Sequence, residues 1–222
     1  MSRKKFHETG KSLNYYIRTD TDNKIIYLIF EDSHSLSDWI NDFDYCSLSY
    51  EHAPYTINAH GGFVKVWLSG NEKVMQELLE QMENNPSYVL IITGWSMGGA
   101  FAHLASEEIN WRTRSDKSNP DTGKKPLLIT YGCPHLLYGK DMKEYFARCT
   151  KACYDFGHVR DSFSKLPPES WRFFIVNRIE IGQDDHDSRM PHTSYGEKQL
   201  YAQIHINDTY VTTDELSTDE KD

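Results

Sequence analysis

Short apolar runs alternate along the chain with polar stretches rich in turn residues. Leu13–Arg18 and Ile25–Phe30 are β-branched and aromatic, and Thr19-Asp20-Thr21-Asp22-Asn23 lies between them, so the pattern predicts a hairpin. Residues 33–58 are polar, with Trp39, Ile40 and Phe43 embedded and Ser37-Asp38 placed to cap a short helix. Val74, Met75, Leu78, Leu79 and Met82 recur at helical spacing opposite Glu72, Glu77 and Glu80, until Asn84-Asn85-Pro86-Ser87 ends the helix. Tyr88–Thr93 reads as a short buried strand, and a helix over about Met97–Ile109 follows almost at once. Residues 112–126 combine charge, Pro and Gly without apolar periodicity, as a surface loop or mobile insertion does. Leu127–Tyr131 and Ala152–Gly157 read as strands, 139–150 as a helix between them, and Trp171–Ile181 as a longer strand. Strands alternating with helices predict one α/β domain over residues 1–211 with a mainly parallel sheet, followed by an acidic tail, 212–222, expected to be frayed.

Composition narrows what such a domain does. The chain has 222 residues, 33 Asp+Glu against 24 Lys+Arg and a formal net charge of −9. Affinity for a phosphate backbone rests on clustered Lys and Arg, so no nucleic-acid partner is expected. No apolar run reaches the ~20 residues that span a bilayer. The stretch MSRKKFHETGKSLNYY is basic but lacks an apolar core, so no secretory signal is expected. Cys46, Cys133, Cys149 and Cys153 are too scattered for a disulfide framework, which fits a reducing, intracellular (cytoplasmic) setting. A mean hydropathy of −0.66 sits awkwardly with work on greasy substrates.

One motif carries chemistry. Gly94-Trp95-Ser96-Met97-Gly98 is G-x-S-x-G, and it stands between the apolar strand Tyr88–Thr93 and the helix starting near Met97. That strand–turn–helix setting is that of a nucleophile elbow, which lifts a serine hydroxyl above the sheet edge. The backbone N–H of Met97, at a helix N-terminus, then points to where an oxyanion would form. A nucleophilic serine needs an acid and a histidine, in the order Ser, Asp/Glu, His along this type of fold. Asp161 follows the strand Ala152–Gly157 closely enough to be presented at the sheet edge, although spacing alone equally suits a solvated loop carboxylate. Among the histidines, His103 lies on the elbow helix, His135 and His158 precede Asp161, and His205 alternates with Ile204 and Ile206 as the polar face of a strand. His186 and His192 both remain. Asp184-Asp185-His186-Asp187 matches no metal-ligand spacing, so neither a metal nor another cofactor is expected.

Six blocks in one order resemble the class 3 lipases, the α/β-hydrolases that include filamentous-fungal triacylglycerol lipases. These are Ile26–Phe30 with Ser33 and Asp38-Trp39, His60-Gly61-Gly62-Phe63, Ile92–Ala100 around Ser96, Thr130–His135, Arg160-Asp161 with Leu166-Pro167-Pro168, and His192-Thr193-Ser194-Tyr195. The resemblance implies an α/β-hydrolase fold, a mostly parallel central sheet flanked by helices. It also implies Ser96 as nucleophile, Asp161 as triad acid, His192 rather than His186 as base, and Ser33 with Met97 as the oxyanion hole. The implied substrate is a lipid or other carboxylic ester, met with transient contact at a membrane surface. The alternatives are a lipase-like fold that binds a lipid or partner, or an acyltransferase using the same triad. The chain departs from the family at Glu31-Asp32, where Arg-Gly is usual, and at Trp95 and His135, where the family has His and Arg. Carboxylates at 31 and 32 would oppose an oxyanion if they pointed inward. Trp39, Ile40 and Phe43 supply only a modest candidate lid.

Overall fold

The computed structural model describes residues 4–8, 11–31, 46–182, 204–206 and 209–211, with side chains described over 13–31 and 46–182. Strand β1 (Lys4–Glu8) pairs antiparallel with β2 (Lys11–Asp20), and β2 with β3 (Ile25–Phe30). The β2–β3 turn is the predicted one: the Asp20 carboxylate accepts the backbone N–H groups of Asp22 and Asn23. From β3 onward the main sheet is parallel, through β6 (Val89–Trp95), β7 (Leu127–Tyr131), β9 (Ala152–His158) and β11 (Arg178–Ile181). Among the described residues its order is β1-β2-β3-β6-β7-β9-β11, so the parallel strands are laid down in one direction. Right-handed crossovers in one direction place the connecting helices on one face.

That face holds α1 (Gly61–Leu68), α2 (Asn71–Asn84) and α3 (Met97–Thr113). Tyr15 of β2 donates its hydroxyl to Glu77 of α2, and Phe30 of β3 meets Trp67 of α1 and Phe101 of α3 with ring centroids 5.9 and 6.2 Å apart. Every second strand residue is therefore buried: Ile26, Leu28 and Phe30, then Leu90 and Ile92, then Leu128. The alternate positions Tyr27, Ile29, Ile91, Thr93, Ile129 and Tyr131 are half-buried on the opposite face. Helix α4 (Lys140–Arg148) follows β8 (Leu137–Tyr138).

The structure departs from the sequence reading in two places and decides between alternatives in a third. Residues 33–58 contain a hairpin, β4 (Ser47–His52) with β5 (Tyr55–His60), and a small sheet forms in the order β10-β8-β5-β4, where β10 is Phe173–Phe174. The expected long strand Trp171–Ile181 is broken: Glu169–Trp171 is a 3-10 turn, Arg172 and Asn177 have φ of 69° and 45°, and only Phe173–Phe174 and Arg178–Ile181 are extended. Positive φ at non-glycine residues interrupts a strand without leaving a composition signal. The segment 112–126 is a surface loop pinned by hydrogen bonds rather than a loose insertion. Asn119 caps the 3-10 turn Pro120–Thr122, Asn110 Nδ2 donates to the Pro120 and Lys124 carbonyls, and Arg148 Nη2 reaches Asp121 at 3.1 Å. Ile204–Ile206 is a strand, as the alternation around His205 predicts, paired with Thr209–Val211. The lid candidates Trp39, Ile40 and Phe43 and the tail 212–222 lie outside the described residues.

Candidate active site

The last residue of β6 is Trp95, and α3 begins at Met97, so Ser96 alone makes the turn between strand and helix. Its φ of 54° and ψ of −123° are foreign to an L-residue in a relaxed loop. Ser96 stands at the helix N-cap, but its hydroxyl does not bend back to cap the helix as serines there ordinarily do. The turn is fixed from outside: the Ser96 N–H donates to the Tyr131 carbonyl of β7 at 2.8 Å, and the Gly99 N–H donates to the Ser96 carbonyl at 2.9 Å. The flanking glycines are required by space. A Cβ on Gly94 would collide with the Gly98 carbonyl, and one on Gly98 would sit 2.6 Å from the Phe30 carbonyl oxygen. The N-terminus of α3 therefore abuts the end of β3, with Met97 buried at 4% exposure.

Asp161 leaves the sheet at the same edge. It follows β9 by three residues, and its N–H donates to the His158 carbonyl at 2.9 Å. The residue is 1% exposed, and its Oδ1 accepts the N–H groups of Phe163 (3.0 Å) and Ser164 (3.3 Å). A carboxylate so held is not the solvated loop acid that spacing alone would allow. Strands β6 and β9 are separated only by β7, so the two residues leave the edge from strands about 10 Å apart.

Three histidines after Ser96 have described side chains, each with an Nδ1 contact of its own. His103 is fully buried in α3, and its Nδ1–H donates to the Gly99 carbonyl at 2.9 Å. Burial pushes its pKa below the ordinary imidazole value. His135, also lowered by burial, donates from Nδ1 to the Pro167 carbonyl at 2.8 Å and so braces the Leu166-Pro167-Pro168 segment. His158 is buried at the end of β9, where its Nδ1 accepts the Arg160 N–H. His192, His186 and Ser33 lie outside the described residues. Glu31 is described, and its carboxylate accepts the Tyr16 hydroxyl of β2. That partner draws it toward the antiparallel edge of the sheet. Trp95 is half-buried at the end of β6, in register with Tyr131.

A second polar centre has no signature in the sequence. Asp155 of β9 is 0% exposed and is held by Thr130 Oγ1 at 2.8 Å, the Cys133 N–H at 3.3 Å and the Arg178 guanidinium at 2.6 Å. A buried acid preceding a candidate triad acid by six positions carries no pattern of its own; only strand register brings Arg178 beside it.

A mostly parallel sheet with a strained serine between its strand and its buried elbow helix defines an α/β-hydrolase. The family described as Lipase (class 3) matches residues 27–171, and the chain belongs to that family. It is 30% identical over 123 residues to the lipase of Rhizomucor miehei (55% of this chain, 32% of the relative). It is 31% identical over 165 residues to the lipase of Rhizopus oryzae (72% and 38%). To the secreted mono- and diacylglycerol lipase A of Penicillium cyclopium it is 26% identical over 162 residues (73% and 49%). The chain thus spans 32% to 49% of the length of these curated relatives. Among solved structures, the Rhizomucor miehei lipase–propeptide complex superposes with a TM-score of 0.69 at 23% identity, covering 82% of this chain and 56% of that one. Lipase II from Rhizopus niveus gives 0.69 at 24%, covering 80% and 65%. At such identities the structural likeness speaks for the fold. No helix among the described residues is long and apolar enough to cross a membrane.

Proposed function

We propose that this chain is a serine hydrolase that cleaves carboxylic esters of lipids, acylglycerols or phospholipids, through Ser96, Asp161 and His192. The observation that carries the reading is the backbone of Ser96, φ 54° and ψ −123°, held between β6 and a buried helix N-terminus. Ser96 Oγ attacks the ester carbonyl while His192 takes its proton. Asp161, buried and fixed by two backbone N–H groups, orients the imidazole and stabilises the imidazolium. The Met97 N–H and the Ser33 region receive the oxyanion. His192 returns the proton to the leaving alcohol, an acyl-enzyme forms on Ser96, and a water activated by the same histidine releases the acid. Relatives named as lipases support a lipid ester as substrate, and such a substrate is met at a membrane or droplet surface by transient contact.

Hydrolysis of p-nitrophenyl esters of increasing chain length tests this directly. Ser96→Ala should lose about four orders of magnitude in kcat, and a fluorophosphonate probe should label the wild type alone. His192→Ala should fall by a comparable factor and His186→Ala should not. Equal turnover by wild type and Ser96→Ala on every ester, with no labelling, would defeat the reading.

A further inference from the structure

Asp155 is a fully buried carboxylate, and such a charge requires a partner. Arg178, its parallel register mate on β11, supplies one through Nε at 2.7 Å and Nη2 at 2.6 Å. The guanidinium does more than neutralise. Its Nη2 also donates to the Cys133 carbonyl in the turn after β7, and its Nη1 donates to the Ser164 carbonyl at 2.5 Å. The stem crosses the strand so closely that a Cβ on Gly157 would lie 2.9 Å from its Cδ and Nε. Position 157 thus carries a residue without a side chain where the arginine passes.

The two carbonyls belong to the two halves of the candidate site. On one side, Ser164 fixes the acid: its N–H donates to Asp161 Oδ1 and its Oγ donates to the Asp161 carbonyl at 3.0 Å. On the other, Cys133 closes the turn Tyr131–Cys133, whose Tyr131 carbonyl accepts the Ser96 N–H. Gly132 N–H in the same turn donates to the Phe156 carbonyl at 2.8 Å. Hydrogen bonds, joined by the short backbone turn Tyr131–Cys133, therefore run from Ser96 to Arg178 and on through Ser164 to Asp161. A lysine would also neutralise Asp155, but its single ammonium lacks the rigid fork that spans two loops.

We propose that Arg178 is a positioning residue that sets the acid loop against the nucleophile turn, with Asp155 as its buried anchor. The proposal rests on the Ser96–Asp161–His192 reading. It acts through Asp161: displacing that carboxylate by about an ångström costs on the order of a hundredfold in rate.

The test compares Arg178→Lys with wild type, each with and without Asp161→Asn, on a soluble p-nitrophenyl ester. Arg178→Lys should lower kcat by roughly ten- to a hundredfold with KM little changed. Its kcat/KM acid limb should move to lower pH, because an imidazolium deprived of its carboxylate gives up its proton more readily. In the Asp161→Asn background the same substitution should add almost nothing. The pair Asp155→Asn/Arg178→Gln removes both buried charges together, so it retains the fold without an orphaned ion, and it should reproduce the loss and the limb shift. Equal losses in both backgrounds, or an unmoved pH limb, would reduce Arg178 to a structural counter-ion of Asp155 and overturn the proposal. Asp161→Asn alone serves as the control for the underlying reading: if that variant is fully active, the triad assignment fails first, whatever Arg178 does.

Discussion

A serine held at φ 54° and ψ −123° costs about 1–3 kcal/mol, and the cost is met by neighbours rather than by Ser96 itself. This is why the elbow was readable: the strain demands glycine at 94 and 98, an apolar strand before and a helix after, all within eleven residues of sequence. Asp161 was different. Its burial and its two N–H donors come from Phe163 and Ser164, and nothing in the spacing announces them, so the family resemblance had to single it out. Glu31 is the residue where chemistry and sequence pull apart, an acid at the end of β3 whose carbonyl oxygen lies near Gly98. Its carboxylate accepts the Tyr16 hydroxyl, a bond that holds the charge toward β2. Tyr16→Phe should therefore lower ester kcat/KM, by at most about twentyfold for one charge roughly 10 Å from the oxyanion at an effective dielectric near 20. Glu31→Gln added to Tyr16→Phe should restore the rate. A rate for Tyr16→Phe that Glu31→Gln leaves unimproved would show that the charge is not the cause.

Helix α3 illustrates why whole elements were only partly legible. Every residue from Met97 to Asn110 is buried, so no polar face marks its period. Even its two acids, Glu107 and Glu108, are 0% and 1% exposed. Glu107 accepts His52 Nδ1–H and the Tyr145 hydroxyl, each at 2.7 Å, and Glu108 accepts Trp67 Nε1–H at 2.7 Å, Asn71 Nδ2 and Arg112. In the β4–β5 hairpin the most buried position of β4 is likewise polar: His52 stacks on Trp111 at 4.2 Å, beyond the less buried Leu48 and Tyr50. These carboxylates tie α3 to α1, to α2 and to the hairpin, so their loss should be felt as stability. Glu108→Ala removes the acceptor of Trp67 Nε1–H and Asn71 Nδ2 and leaves Arg112 only its exposed partner Glu72, and should cost about 2–3 kcal/mol. Urea unfolding measures it, and a cost below about 1 kcal/mol would mean the network relaxes around the gap. Gly98→Ala tests the other end of the helix. Its Cβ, 2.6 Å from the Phe30 carbonyl, should cost about 1–3 kcal/mol and lower activity together.

For the molecule as a whole, the charge of −9 describes the surface while the titrating groups that govern folding lie inside. His103 and His135 are held below the ordinary imidazole pKa, chiefly by burial. Their unfolded counterparts titrate near 6.5, so as pH falls below that value the unfolded chain takes up protons that the folded chain refuses. Stability is therefore complete above about pH 6.5 and declines as pH falls toward the depressed folded values, with a slope of up to about 1.4 kcal/mol per pH unit for each histidine. The carboxylates with lowered pKa, Asp20, Glu72, Asp116 and Asp121, act in the same direction but only near and below pH 4, outside this window. Relief of surface repulsion on acidification opposes the histidine effect and is weakened by salt. Urea midpoints at 0.5 M salt should accordingly fall between pH 7 and pH 5.5, and His103→Asn should flatten the decline by about half. The variant loses some stability at pH 7 through altered packing, but only the slope bears on the linkage. A slope unchanged in His103→Asn would place the acid sensitivity elsewhere in the chain.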